Sequence, residues 1–443
     1  MKQFRLLLLL FAVTPIATSA QEDTTKVNEL TVKLQSVNRG EIRNGGYKVE
    51  DPEFYDADAN PAGEKSNFVL GIHRLHIGYQ RPYLEAKLCV EQAGTWGASG
   101  GGNFSVREAW AQLTAKNGLF AKIGRQLLSY DDERIIGSDD WEMLAFKHDA
   151  LKLGYEGHGH RAHLILCYNQ NPANKVEGHT YYENGMLPYK TMHTVWYHYD
   201  VPHVPLGASV LFMNVGMQAG EKGVNAHTEW QQLLGGYVKY APEHWTVEGS
   251  YYRQFGNSEY GIKIDAWLAS GKVSYDPAPT YGFWAGYDAL SGDKYFAVPP
   301  KGSIGVVYHD VIRGFNPIYG THHKFYGAMD FFYVSTYVNG FTPGLQNAFL
   351  GGHVSPVKGL DMSLTGHYLA MGTKLANMDK SLGYEIEFEA TYKIMKDVSV
   401  TLGYSFMNGT ETMNKLKRST GDGVLRWGWL ELDITPRLFY TKW

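Results

Sequence analysis

The chain has 443 residues, a formal net charge of −4, 19% charged and 14% aromatic residues, 50 glycines and 2 cysteines. The 62 Trp, Tyr and Phe residues exclude a disordered chain, and two cysteines exclude a disulfide-built scaffold. A mean hydropathy of −0.31 excludes a bundle of membrane-spanning helices. Because the charged fraction is below the roughly 25% of an ordinary soluble domain, the aromatic rings serve something other than a soluble core.

The N terminus has the pattern of a secretory signal peptide. Lys2 and Arg5 are positive, residues 6–13 are apolar, and small residues precede position 21. We therefore predict a signal peptide at residues 1–20 and one domain at 21–443; the alternative, a membrane anchor, requires a longer apolar run. Removal of the peptide leaves 39 basic against 45 acidic side chains, a net charge of −6 that gives no reason to expect nucleic acid as a partner.

Alternation of apolar and polar side chains recurs along the rest of the chain and predicts β-strands. Residues 74–80, 84–91 and 161–169 show it in the first half. Near the C terminus, residues 384–394 place Tyr, Ile, Phe and Ala on one face and Glu, Thr and Lys on the other. Residues 398–406 repeat this pattern after a two-residue connection, which predicts a hairpin.

Short turns and long polar loops alternate between the predicted strands. The short turns are at residues 80–82, 117–118, 157–159, 242–243 and 358–359, and the long loops at 96–103, 130–146, 171–188, 291–319 and 408–423. One short-turn end and one long-loop end are typical of an up-and-down transmembrane barrel. The 423 residues after the signal peptide allow ~23 residues for each of about 18 strands with its connection, and a spanning strand takes ~9–11 of them. We predict an all-β, antiparallel transmembrane barrel of 18 strands, give or take two.

In a barrel within lipid, aliphatic side chains face outward and polar ones face the lumen. Seven tryptophans near predicted strand ends are then expected to form interfacial girdles: Trp196, Trp230, Trp245, Trp267, Trp284, Trp427 and Trp429. The alternative is a soluble sandwich with an aromatic core. The last strand ends on Trp443, and a final aromatic residue is what outer-membrane barrels typically present to the barrel-assembly machinery.

The densest unusual sequence lies in residues 106–113 and 122–150. It contains Glu108-Ala109-Trp110, Gly124-Arg125-Gln126, Tyr130-Asp131-Asp132-Glu133-Arg134, Trp141 and Asp149-Ala150. These segments, with residues 323–332 and 344–347 further on, resemble the alginate-export outer-membrane porin family. The resemblance spans nearly the whole mature chain. It implies a channel without enzymatic activity or cofactor in the outer membrane of a Gram-negative cell, in contact with its lipid, that passes a hydrophilic, anionic saccharide by passive selective diffusion.

The charged residues of these segments suit a pore constriction. Bidentate Arg–carboxylate pairs can hold a loop against the wall, and fixed charges near the axis select permeants by sign and size. The candidate constriction residues are Arg74, Arg107, Glu108, Arg125, Asp131, Asp132, Arg134, Trp141 and Asp149. The alternative is that these pairs only tether the loop. Strict alternation places Arg125 on the face of Ile123, so either Gly124 marks a bulge or Arg125 lies at the rim, and Arg107 raises the same question.

Charges elsewhere leave the permeant open. The inward basic residues are expected to be Lys33, Arg39, Arg74, Lys87, Lys122, Arg161 and Lys239, and the inward acidic ones Glu85, Glu91, Glu248, Glu385, Glu387 and Glu389. Three inward glutamates on one strand would repel a polyanion such as alginate, so general diffusion or uptake of an oligosaccharide or other small solute is as well supported as polysaccharide export. An enzyme barrel acting on lipid or polysaccharide and a plugged surface receptor or adhesin remain the alternative functions.

Metal sites have weak support in the sequence. No zinc-type cysteine pair occurs, and the histidines lack ligand spacing. The acidic residues 131–133, with Asp139 and Asp140, could offer oxygen ligands to calcium, but they lack the EF-hand pattern. We therefore expect no metal and no cofactor.

Overall fold

The computed structural model describes residues 28–44, 66–138, 141, 146–293, 310–332, 342–375, 377–417 and 424–443. The predicted signal peptide and the acidic residues Asp139 and Asp140 lie outside the described residues.

Twenty β-strands account for most of the described residues. They are β1 (Glu29–Arg43), β2 (Ser66–Arg81), β3 (Leu84–Thr95), β4 (Asn103–Thr114), β5 (Leu119–Gln126), β6 (His148–Gly157), β7 (His160–Tyr168), β8 (Tyr189–Asp200), β9 (Leu206–Ala219), β10 (His227–Tyr240), β11 (Trp245–Asn257), β12 (Lys263–Ala278), β13 (Tyr281–Leu290), β14 (Val311–Ile312), β15 (Leu345–Val357), β16 (Leu360–Ala370), β17 (Ser381–Met395), β18 (Val398–Gly409), β19 (Leu425–Ile434) and β20 (Arg437–Lys442). Two short helices, α1 (Asn174–Glu177) and α2 (Glu411–Lys417), and the 3-10 turn His322–Lys324 lie between them. Neither helix within these described ranges has the length and apolar character needed to cross a membrane.

The strands close into a barrel with an 18-stranded antiparallel wall, as predicted. Each wall strand pairs with its neighbours in the chain, and β1 completes the ring by pairing with β2 on one side and with β19 and β20 on the other. β19 and β20 form one wall strand interrupted at residues 435–436, and β14 is a short parallel addition at the edge of β12. Backbone hydrogen bonds in both directions join Asn28 to Trp443 at the seam.

The two ends of the barrel differ as the sequence indicated. Tight connections such as residues 82–83, 158–159 and 279–280 lie at one end, and long loops such as 127–147 and 291–344 lie at the other. Outward side chains along the wall are large and apolar, for example Leu164 and Leu166 on β7 and Leu350 on β15. A hydrocarbon environment requires that the side chains facing it are apolar and that all backbone polar groups are hydrogen-bonded. The apolar outer face meets the first requirement, and the closed sheet, which leaves no strand edge open, meets the second.

The tryptophan girdle is only partly correct. Trp230, Trp245 and Trp267 lie on outward positions, but Trp196, Trp427 and Trp429 are buried inside the lumen and Trp284 lies on an inward position of β13. The reason is that alternation assigns a side chain to one of two faces, and these four rings fall on the inner one.

The lumen is not uniformly polar. The described parts of two long loops fold into it: inner loop 1 (residues 127–138, 141 and 146–147) and inner loop 2 (residues 291–293, 310–332 and 342–344). Their apolar side chains, among them Leu128, Ile135 and Phe315, form a continuous core with inward residues of the wall from β6 to β18. Inward Ile165, Met213 and Leu233, among others, are therefore fully buried. The expectation of a polar inner face is wrong over this part of the wall, because the inner loops provide the wall with an apolar partner instead of water.

Candidate functional site

The two inner loops hold each other across the lumen. Ile136 and Tyr319 form an isolated parallel β-bridge. Around it, Gly137 N donates to Tyr319 O at 2.8 Å, Tyr319 N to Ile135 O at 3.1 Å and Thr321 N to Glu133 O at 2.9 Å. The loops therefore satisfy each other's backbone groups and can remain ordered in a buried position.

Arg134 ties this pair of loops to the wall. Its guanidinium contacts Asp132 at 3.0 Å, Asp288 of β13 at 3.0 Å and the Tyr326 hydroxyl at 3.3 Å, and it lies 4.0 Å from the Phe325 ring centroid. Burial lowers the pKa of this guanidinium, but Asp288, Tyr326 and Asp132 raise it by more, so that it lies above its usual value. Arg134 is 4% exposed. It is placed to tether the loops, and it does not face an open passage.

Asp131 anchors inner loop 1 to a different part of the wall. Its carboxylate accepts hydrogen bonds from Ser209 Oγ at 2.6 Å and Trp196 Nε1 at 3.0 Å, with the Tyr252 hydroxyl at 3.4 Å. Burial raises the pKa of Asp131, and the bonds from Ser209 and Trp196 oppose that rise. Asp131 is therefore bonded to wall residues, and Asp132 to Arg134 of the same loop.

Two glutamates of β17 hold inner loop 2. The carboxylate of Glu385 accepts a hydrogen bond from Met329 N at 2.7 Å, and that of Glu387 accepts one from Ala328 N at 2.6 Å. Glu387 also lies 3.2 Å from His367 Nε2. Glu385 is completely buried. The objection that the glutamates of β17 would repel an anionic permeant loses force, because two of the three are occupied by the loop.

The open part of the lumen is a cleft along β1–β4 and β19–β20. A cavity of about 810 Å³ begins among turn residues at the short-turn end and adjoins a second cavity of about 400 Å³. Gln35, His76 and Lys87 line both cavities. Volumes of this size are those of ordinary small-molecule sites. We refer to the two cavities together as the lumen cleft.

Three cations converge on one carboxylate beside the lumen cleft. Glu91 accepts from Arg74 Nε at 2.6 Å and from Lys147 Nζ at 3.1 Å, and it lies 3.3 Å from Arg107. Arg74 also donates to Gln35 at 3.0 Å, and Lys147 to Ser105 at 2.7 Å. Three cationic side chains therefore surround the Glu91 carboxylate, and the carboxylates of Glu108, Glu431 and Asp433 also line the 400 Å³ cavity. Arg74 and Arg107 line the 400 Å³ cavity.

A β-bulge explains the position of Arg107. Cys89 of β3 pairs with Glu108 and the next residue, Val90, pairs with Val106, so that Arg107 is the extra residue in β4. Both Arg107 and Glu108 are consequently buried on the inner side. Glu108 forms an ion pair with Lys87 and accepts from Trp110 Nε1 at 3.0 Å. The bulge occurs in β4, whereas β5 pairs in regular register through Gly124.

Trp141 forms the upper end of the lumen cleft. Its ring is stacked between Arg39, whose Cζ lies 3.7 Å from the ring centroid, and His323 of inner loop 2, at a centroid separation of 4.1 Å. Trp427 and Trp429 contact the same ring edge-on. Trp141 therefore joins both inner loops to the wall at the narrow end of the cleft.

Arg125 and Asp149 are not constriction residues. They pair across β5 and β6 through two hydrogen bonds of 2.9 and 2.8 Å, but on the outward face at the long-loop end, where both are partly exposed. This corrects the expectation that they line the pore, and of the two explanations considered it favours a position at the rim. The physical reason is that regular alternation from Ile123 continues through Gly124.

No group of three or more His, Cys, Asp or Glu side chains among the described residues is placed to hold a metal ion. Cys89 and Cys167 are both free and buried on inward positions.

The candidate constriction residues are divided between the lumen cleft and the inner loops. Arg74, Arg107, Glu108 and Trp141 lie on it, whereas Asp131, Asp132 and Arg134 belong to the tethers. Lys147 was missed as a site residue, and Arg39, Lys87 and Glu91 were recognised only as inward charges. Alternation places Arg39, Lys87 and Glu91 on the same face as Arg74, which could have identified them as site residues. No local sequence signal marks Lys147, which lies in the loop before β6.

The fold defines a class of protein, and comparison with solved structures agrees. OccK2 (OpdF) of Pseudomonas aeruginosa aligns with a TM-score of 0.60 at 13% identity, over 92% of this chain and 98% of that chain. The structure of OccK2 (OpdF) in complex with glucuronate aligns with a TM-score of 0.58 at 14% identity, over 93% of this chain and 98% of that chain. A BenF-like porin from Pseudomonas fluorescens Pf-5 aligns with a TM-score of 0.59 at 11% identity, over 92% of this chain and 99% of that chain. Comparisons with protein-family models and with curated proteins found no match. The chain thus has the fold of outer-membrane porins.

Proposed function

We propose that the protein is a channel of the outer membrane that passes small hydrophilic solutes bearing a carboxylate, in particular uronate saccharides, by selective diffusion. The observation that carries the proposal is the convergence of Arg74, Arg107 and Lys147 on the single carboxylate of Glu91. A guanidinium has five donors in a fixed fork that fits a carboxylate. The cationic side chains gathered around Glu91 can therefore attract the carboxylate of a solute that enters the cleft.

The geometry of the cleft supports a saccharide of limited size. The 400 Å³ cavity beside Arg74 and Trp141 has the volume of a monosaccharide or disaccharide site. A polyuronate of the alginate type would have to thread past Trp141 as an extended chain. The solved structure of OccK2 (OpdF) in complex with glucuronate supports the same chemical class. The apolar outer wall, the porin fold and the predicted signal peptide support residence in the outer membrane.

Planar-bilayer recording tests the proposal. We expect discrete conductance steps, and we expect glucuronate to interrupt the current more strongly than glucose at equal concentration. Replacement of one charge-assisted hydrogen bond, in Arg74→Gln, should weaken the glucuronate block about tenfold, since such a bond contributes ~1.5 kcal/mol.

Arg161→Gln is the matched control. Arg161 is also an inward arginine paired with a carboxylate, Asp200 at 2.8 Å, but it does not line the cleft. The block should stay within twofold in this variant. Absence of conductance steps in the wild type would instead favour a plugged receptor, in keeping with the apolar packing of the inner loops. Equal block by glucose and glucuronate would refute the carboxylate preference.

A further inference from the structure

The outer surface of the wall carries a pair of arginines near the long-loop end of the barrel. Arg253 of β11 and Arg313 of inner loop 2 both contact Asp265 of β12, at 3.0 and 3.2 Å. All three side chains are well exposed, 60%, 41% and 45% respectively. Two guanidiniums share one carboxylate, so these three side chains together carry one excess positive charge and remain accessible from outside the barrel.

The level of this group in the wall is fixed by strand register. Arg253 is directly opposite Trp267 in the β11–β12 pair and opposite Leu234 in the β10–β11 pair. One step further toward the short turns, Tyr251 is exposed on the same outward face. Phe255, two residues further along β11, is also exposed on this face, so the arginines lie among the outward aromatic rings of the long-loop end, which in a barrel mark the boundary between hydrocarbon and headgroups.

A hollow of about 320 Å³ lies in the wall at this place. β13 ends at Leu290, whereas β12 continues for five residues beyond Leu268, the partner of Leu290, so part of β12 has no full neighbour. The hollow is lined by outward Asp265, Trp267, Ala289 and Gln346 together with Arg313 and Thr373. The apolar side chains of its lining are those of Trp267, Ala289 and Leu290, and Arg313 is its cationic side chain, beside Asp265.

Arg313 is held in place by a buried carboxylate. Arg313 N donates to Asp293 Oδ1 at 2.7 Å, and Arg313 O accepts from Ser291 Oγ at 2.7 Å. Asp293 is 2% exposed. The backbone that presents this guanidinium to the outside is therefore fixed from within, as a preorganised binding group requires.

We propose that Arg253 and Arg313 bind the phosphate of a phosphorylated outer-leaflet lipid, whose apolar part lies against Trp267 and Ala289 in the hollow. Arginine binds phosphate through two parallel hydrogen bonds, and exposed Arg–Asp pairs are weak enough to rearrange around an incoming anion. A lipid is the source favoured by position, because a ligand at this level has its chains in the membrane. The proposal is independent of conduction.

Native mass spectrometry of the protein in a non-ionic detergent tests it, with bisphosphorylated lipid A as the probe. We expect saturable binding of one lipid, weakened at least tenfold in the double variant Arg253→Gln/Arg313→Gln. Arg125→Gln is the matched control, because it removes an outward arginine of an Arg–Asp pair at the same end that has no second arginine. Its Kd should stay within twofold.

Asp265→Asn provides a test of opposite sign. Removing the competing carboxylate should tighten lipid binding at least threefold, and unchanged or weaker binding overturns the proposal even if the double variant fails to fold. Equal affinities of the double variant and the wild type also overturn it. So do equal affinities for enzymatically dephosphorylated lipid A, and so does displacement of the lipid by inorganic phosphate at equal concentration, which would make a free anion the ligand.

Discussion

The strongest prediction concerns the buried tether at Arg134. Arg134→Met removes a guanidinium that contacts Asp132 and Asp288. Asp288, at 1% exposure, then keeps hydrogen bonds from Ser270 and Asn347 among the described residues. Removing one partner of a buried ion pair costs roughly 3–5 kcal/mol, because the other charge stays buried. At 1.4 kcal/mol per factor of ten, this shifts the docking equilibrium of the inner loops by about 10²–10³.

Two assays measure this shift. Because the docked loops fill much of the lumen, Arg134→Met should add larger and noisier conductance levels in planar bilayers, and it should speed proteolytic cleavage within residues 127–147. The matched control is Lys324→Met, which removes an exposed cation of the same loop pair that contacts Glu133 at 3.6 Å. Because exposed ion pairs contribute about 0–1 kcal/mol to stability, Lys324→Met should change loop docking much less than Arg134→Met.

Neutralising the orphaned partner should restore part of the lost docking. We therefore expect Arg134→Met/Asp288→Asn to cleave more slowly than Arg134→Met alone. If Arg134→Met matches Lys324→Met in conductance, noise and cleavage rate, the tethering argument fails.

Three further predictions address single groups. Glu91→Gln removes the anion among three cations, so the reversal potential in a KCl gradient should move toward that of chloride, whereas the control Glu85→Gln, on the same strand, should move it less; equal shifts would contradict the role of the cluster. Arg125→Gln should leave selectivity unchanged, since its side chain is outside the lumen, and a changed reversal potential would return it to the pore. Asp131→Asn should stabilise docking of inner loop 1 at neutral pH: burial raises the pKa of Asp131, so its charged form costs docking energy above that pKa, and the gain should vanish as the pH falls below the ordinary value of about 4. Proteolysis at pH 7 and pH 4 measures this difference, and a gain that is independent of pH would disprove the electrostatic cause.

The barrel could be predicted from the sequence because its signal is local. A strand that faces lipid on one side shows alternation within ten residues, and 384–394 and 398–406 indeed form the paired strands β17 and β18. The even spacing of short and long connections then supplied the number of strands. Neither inference needs knowledge of contacts between distant segments.

The inner packing could not be predicted in the same way. Trp196 and Trp427 obey alternation, but their burial depends on Tyr130 and Trp141, which come from a loop that is distant in sequence. Alternation separates two faces without stating what covers each face. Arg107 shows the other limit, since one extra residue in β4 reverses the inward and outward positions and leaves no mark in the pattern of Val106 to Ala109.

These contacts divide the lumen by chemistry. Apolar inward residues from β6 to β18 are covered by the inner loops, whereas inward charges remain accessible on β1–β4 and β19–β20. A solute in the proposed channel would meet Arg74 and Arg107 together with Glu431 and Asp433, and it would not meet Glu385, which the loop covers. The formal net charge of −4 therefore has little bearing on selectivity, because the inner loops decide which part of that charge a solute would encounter.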